Sequence, residues 1–170
     1  MTTATDVLVD AFTRVHDDLP EIVDELEPED LLWRPDADAN PVAWIVWHLT
    51  RVQDDHLAGV VDGEQLWTSG GWAERFGLPY DLGSVGYGQS SDEVGAFGID
   101  DLELLMGYHA AVHRRTVEIL EGLTDEDYAR IVDERWDPPV TCAVRLVSVV
   151  NDITQHLGQA AYVAGLARRR

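Results

Sequence analysis

The sequence predicts an all-α fold, a four-helix bundle built as a single domain over residues 1–170. Three observations lead there. Four long segments place apolar residues at three- and four-residue steps, the spacing of one helical face. Strand-like alternation is almost absent, which leaves helix-on-helix packing as the way to bury those faces. Hydrophobic residues make up 45% of the 170, an ordinary globular share in a chain long enough for one core.

The first segment runs from about Thr5 to Leu26, with Leu8, Phe12, Val15, Leu19 and Ile22 on one face. Pro20 marks a kink or a break. His16 falls among positions of the solvated face. Glu27-Pro-Glu-Asp30 reads as a turn or short helical start, and Arg34 to Asn40 as loop. Asn40 then caps a helix whose first turn holds Pro41. The second segment spans Pro41 to about Val61. Val42, Ile45, Leu49, Val52 and His56 share a face, with His48 on its inner side, and Asp62-Gly63 ends it.

Residues 63–98 carry glycines interleaved with Trp67, Trp72, Phe76, Tyr80 and Tyr87. So long an irregular connection is unusual in a compact domain. It serves as a surface crossover whose aromatics cover a core edge, or as the wall of a pocket; the sequence leaves both open. Gly71 to Phe76 has room for a helical turn or two. The connection is long enough for the second and third helices to run parallel.

The third segment runs from about Asp100 to Glu121, with Leu102, Leu105, Met106, His109, Val112, Val117 and Leu120 inward. Thr124 to Asp127 reads as a capped turn, and Arg130 to Trp136 as extended chain stopped by Asp137-Pro-Pro139. Thr141 caps the last helix, whose inner side is expected to hold Val144, Val147, Val150, Ile153, Leu157, Ala160 and Ala164. Arg168, Arg169 and Arg170 at its end complement the helix dipole.

Charge narrows the partners. The formal net charge of −20 repels phosphate backbones, so no nucleic-acid partner is expected. No apolar run reaches the roughly 18 residues of a membrane span. The start, Met1 to Asp6, lacks the basic and apolar stretches of a secretion signal, and the lone Cys142 can form no internal disulfide. A cytoplasmic location is the expectation. Cys142 itself fits a small core residue better than a nucleophile.

Two pairs of residues have metal-ligand spacing. On the last helix, Asp152 and His156 lie four apart, about 40° around the axis and 6 Å along it, so both can reach one ion. On the third helix, His109 and His113 have the same spacing. A third ligand must come from another helix, and His48 is the inward candidate. His56 lies eight residues on, roughly 12 Å along the helix, too far to share that ion; it reads as a half-exposed structural residue. Each pair also has a plain structural reading, a hydrogen bond or ion pair, and spacing alone does not choose between them.

Trp44-Ile-Val-Trp-His-Leu-Thr-Arg-Val-Gln-Asp-Asp-His56 together with Asp152-Ile-Thr-Gln-His-Leu-Gly-Gln159 resembles the DinB-like superfamily. Gly71 to Gly77 and Asp133 to Pro139 resemble in particular its actinobacterial branch of mycothiol-dependent transferases, related to the amino-terminal domain of mycothiol-dependent maleylpyruvate isomerase. The resemblance runs from about Asp6 to Leu166. It implies up-down-down-up helix order and a metal triad that falls on His48, Asp152 and His156, which is what selects this pair over His109 and His113. Many superfamily members have histidine where this chain has Asp152, and the isomerase branch has an acid. It implies one divalent ion, zinc first, with nickel, iron or manganese as alternatives, and mycothiol as the thiol co-substrate. The implied activity is S-transfer to, or isomerisation of, a small electrophile or xenobiotic. Trp67, Trp72 and His109 are then candidates for the cofactor pocket. The resemblance also allows for a homodimer, and for a non-catalytic metal-binding stress or interaction protein.

Overall fold

A computed structural model describes residues 1–170. Four long helices form the bundle: α1 (Ala4–Val23), α3 (Val42–Val60), α7 (Leu102–Gly122) and α8 (Cys142–Ala167). Four short ones lie between them: α2 (Pro28–Leu31), α4 (Leu66–Ser69), α5 (Trp72–Phe76) and α6 (Ser91–Gly95). A two-stranded antiparallel ribbon, β1 (Ile131–Asp133) and β2 (Val140–Thr141), precedes α8. No helix is long and apolar enough to cross a membrane.

The helix starts follow local chemistry. Thr3 and Asp6 form a reciprocal capping box on α1, Asp101 caps α7, and the Thr141 hydroxyl accepts from the Val144 N–H on α8. α1 continues through Pro20 to Val23. Asn40 is not a cap: Pro41 occupies that position on α3, and no side chain caps the helix.

Side-chain contacts fix the directions of the helices. Thr50 meets His109 and Gln53 meets Thr116, so α3 and α7 run parallel. His48 faces His156 whereas His56 shares a cavity with Arg145, so α8 runs against α3. His16 packs on His109 and His113 of α7, while Arg168 donates to the carbonyls of Ile22 and Asp24 at the end of α1. The order is up-down-down-up. α1 and α3 each touch both α7 and α8. Parallel neighbours cannot be joined by a tight turn, which is why residues 61–101 must travel the length of the bundle.

α3 is buried almost all round. Its apolar residues, including Trp44, Ile45, Trp47 and Leu49, enter the main core with Phe12, Leu105, Leu146 and Ile153. The buried stripe of α8 is Cys142, Leu146, Val149, Ile153, Leu157 and Ala160. Val144 and Val147, expected inward, are 54% and 62% exposed. Both stripes keep three- and four-residue steps, so periodicity does not separate them; only the one continuous with Cys142 and Leu146 meets α1 and α3. His16 is also only partly solvated, because its ring stacks on His113 at 4.2 Å.

Polar side chains of α3 bind the crossover to the bundle. Asp54 accepts from the Leu66 and Trp67 N–H groups at 2.9 and 2.7 Å, and from the Tyr108 hydroxyl at 2.7 Å. Arg51, fully buried, lies 3.7 Å from Asp54 and stacks over the Trp67 ring. Tyr108, pressed against Asp54 and desolvated, has its hydroxyl pKa driven far upward, so it remains a donor. Removing Asp54 leaves Arg51 buried and unpaired. Asp54→Ala is therefore expected to destabilise the fold by about 3–5 kcal/mol, read as a lower urea midpoint; a midpoint unchanged from the parent protein contradicts this role.

Candidate metal centre

His48 of α3 and Asp152 and His156 of α8 meet in the α3–α8 interface, with their candidate ligand atoms all within 4.8 Å of one another. A tetrahedral zinc site places its donor atoms about 3.4 Å apart, so closing this cluster on an ion takes a side-chain rotation of an ångström or so. Asp152 has the freedom to make it, with a side chain 37% exposed.

Both imidazoles are held through Nδ1. The His48 Nδ1–H donates to the Val85 carbonyl of the crossover. The His156 Nδ1–H donates to the Asp152 carbonyl at 2.9 Å, one turn earlier on the same helix. In each ring the proton is thereby kept on Nδ1 and Nε2 carries a free lone pair, the tautomer a metal ligand requires. Asp152 Oδ2 lies 3.2 Å from His156 Nδ1, but is buried without a hydrogen bond of its own. A buried carboxylate oxygen whose one neighbouring donor is an N–H already given to a carbonyl is under-satisfied, and a cation is a partner that the donor set of two imidazoles and one carboxylate suits.

Electrostatics favour that set at His48 and Asp152, whereas at His156 a proton competes with a cation for Nε2. Burial lowers the pKa of His48, as does repulsion from His156, which keeps it neutral. The Asp152 carboxylate raises that of His156. Burial acts to raise Asp152, but the neighbouring imidazoles outweigh it and hold the carboxylate ionised. The cluster is closed on one side and open on the other: His48 is 6% exposed, whereas Asp152 reaches solvent.

The segment that clamps His48 contains no room for a side chain. Gly86 is buried at φ +91°, and a Cβ there would lie 2.8 Å from His48 Nδ1 and 2.9 Å from the Trp44 ring. Trp44, one turn before His48, stacks on its imidazole at 4.8 Å, and the Trp44 Nε1–H donates to Gln89 in the same segment. Trp44 is not among the expected pocket residues, although its four-residue offset from His48 is a signal for it, whereas Val85 and Gly86 carry none beyond a glycine in a loop.

The other expected pocket residues lie elsewhere. Trp67 is buried among Trp47, Phe76 and Tyr108, and Trp72 packs on Tyr108 beneath Arg75. The indole at the imidazole of His48 is that of Trp44 instead. His109 faces α1 and Thr50. His56 is half-buried, 3.4 Å from Asp55, and lines a polar cavity of about 270 Å³ with Asp55, Asp133, Arg135 and Arg145.

Comparison with known proteins agrees with this architecture. Residues 11–160 match the DinB superfamily. The chain belongs to that superfamily. A crystal structure described as the conserved protein of locus from Enterococcus faecalis superposes with a TM-score of 0.93 at 26% identity, covering 100% of both chains. No curated protein matches the chain.

Membership in the DinB superfamily and the geometry at His48 lead to one expectation about affinity. His48→Ala is expected to abolish divalent-metal binding at this site, lowering the metal retained by one equivalent with helix content unchanged, and Gly86→Ala to weaken binding there about 10–100-fold by displacing the group that orients His48. Metal content after dialysis against buffered metal checks both. Retention by the His48→Ala protein equal to that of the parent contradicts the assignment.

Proposed function

We propose that the protein is a divalent-metal-dependent enzyme that joins a low-molecular-weight thiol to a small electrophile, or uses it to isomerise one. The observation that carries this reading is the trio of His48, Asp152 and His156, three donors with a side open to solvent. Three protein ligands with open positions are the arrangement of catalytic rather than structural sites. When bound, the cation stabilises thiolate near neutral pH.

Each residue has a part in that chemistry. His48, fixed by Val85 and Trp44, and His156, fixed along its own helix, present Nε2 lone pairs. Asp152 supplies the negative charge and the flexible, solvent-facing side. The polar cavity at His56 and Arg145 opens along the same pair of helices, and His56 lies close enough to Asp152 for their charges to interact. It offers room for the polar part of a thiol. The nucleophile then forms a carbon–sulfur bond to the electrophile and expels a leaving group, or adds across an activated double bond whose neighbouring carbon takes up a proton.

The resemblance of Gly71–Gly77 and Asp133–Pro139 to the mycothiol-dependent branch favours mycothiol as the thiol. Zinc suits two imidazoles and a carboxylate best, with nickel, iron and manganese next. Metal-loaded protein is expected to accelerate the reaction of mycothiol with a halonitroarene or an unsaturated acid by about tenfold or more over metal-free protein, through a larger thiolate fraction. Equal rates from the two preparations contradict the thiol mechanism. Stable metal binding together with equal rates favours a metal-binding stress or interaction protein.

A further inference from the structure

We propose that His16, His109 and His113 form a second transition-metal site, between α1 and α7, for a borderline divalent ion such as zinc, nickel or cobalt. His16 stacks on His113 at 4.2 Å and on His109 at 5.4 Å. Six buried side-chain nitrogen and oxygen atoms in the protein have no hydrogen-bond partner, and three belong to this cluster: His16 Nδ1, His109 Nε2 and His113 Nδ1. Another of the six is Asp152 Oδ2 in the first candidate site. Unpartnered buried nitrogens are costly one at a time, and three within one stack call for a common partner.

The state of His109 can be read from its surroundings. The Thr50 hydroxyl donates to the Val46 carbonyl at 2.8 Å, so its oxygen is left to accept from His109 Nδ1 at 3.1 Å. The proton therefore sits on Nδ1, and Nε2 is a bare lone pair, 1% exposed as a residue and aimed away from Thr50. Burial and repulsion from His16 and His113 press the pKa of His109 down to about 3, so no proton competes for that lone pair near neutrality. His113 follows four residues later on the same helix, the spacing of two ligands to one ion. Asp17 lies near enough to offset positive charge there.

Geometry sets the size of the adjustment. Three imidazoles on one tetrahedral ion hold their ring centres about 5 Å apart. The His16–His109 ring distance is near that value, but the nitrogens of the three rings do not yet converge on one point: His16 and His113, now face to face at 7°, must part by about 1 Å and rotate out of their stack to turn their nitrogens inward. Both are only half-buried and free to do so. The site is separate from the first: His48 and Thr50 lie about 200° apart around α3, one turned to α8 and the other to α7.

The test uses the full chain without a polyhistidine tag, in the His48→Ala background that removes the first site. Cobalt(II) titration should give one equivalent bound, with the visible absorption of imidazole coordination. Adding His16→Ala or His113→Ala should weaken that binding at least tenfold. These two positions are half-exposed, so circular dichroism should show the same helix content, which separates ligand loss from unfolding. No cobalt absorption in the His48→Ala protein overturns the proposal, and so does absorption that persists unchanged without His16 or His113. Two equivalents bound by the His48→Ala protein instead count against the first site alone.

Discussion

The hydrogen bond from His48 to the Val85 carbonyl ties together the two least similar parts of the molecule. One partner lies on the most buried helix, and the other on an irregular crossover more than thirty residues later. The bond seats the crossover on the bundle and fixes the imidazole tautomer in one contact. Gly86 makes the approach sterically feasible, and Trp44 closes the other face of the ring. A metal ligand held this way loses little freedom when it binds, which is what precise coordination requires.

The same crossover exists because α3 and α7 are parallel. Once the chain must traverse the bundle, its backbone needs fixed partners, and α3 provides them in sequence: His48 for Val85, Arg51 for Ser84, and Asp54 for Leu66 and Trp67. This explains why a helix at the centre of the core carries so many polar side chains. They are buried because the crossover covers them, and the crossover is ordered because they are there. The aromatic residues expected to line a pocket mostly serve this purpose: Trp67 and Trp72 pack the crossover onto Tyr108 and Arg51.

Much of this was legible in the sequence, for reasons that can be named. Four amphipathic segments follow from apolar spacing, and the cap at Thr141 from side-chain chemistry local to the helix start. His48, Asp152 and His156 meet where the resemblance placed them, whereas spacing alone also admitted His109 and His113. What stayed hidden was relational. Val144 and Val147 share the periodicity of the buried stripe but face outward, since the packing of neighbouring helices chooses between stripes. His16 looked solvated because its cover comes from α7, a hundred residues away. Val85 acts through its carbonyl, which no side-chain pattern reveals.

The central claim is that side chains from α3 and α8 hold one ion between them. An anomalous difference map of metal-loaded crystals, recorded at the absorption edge of the metal, tests it most directly. The account predicts a peak about 2.0–2.2 Å from His48 Nε2, His156 Nε2 and an Asp152 carboxylate oxygen, with Val85 still accepting from His48 Nδ1. No peak between those three side chains, at full metal loading, contradicts it.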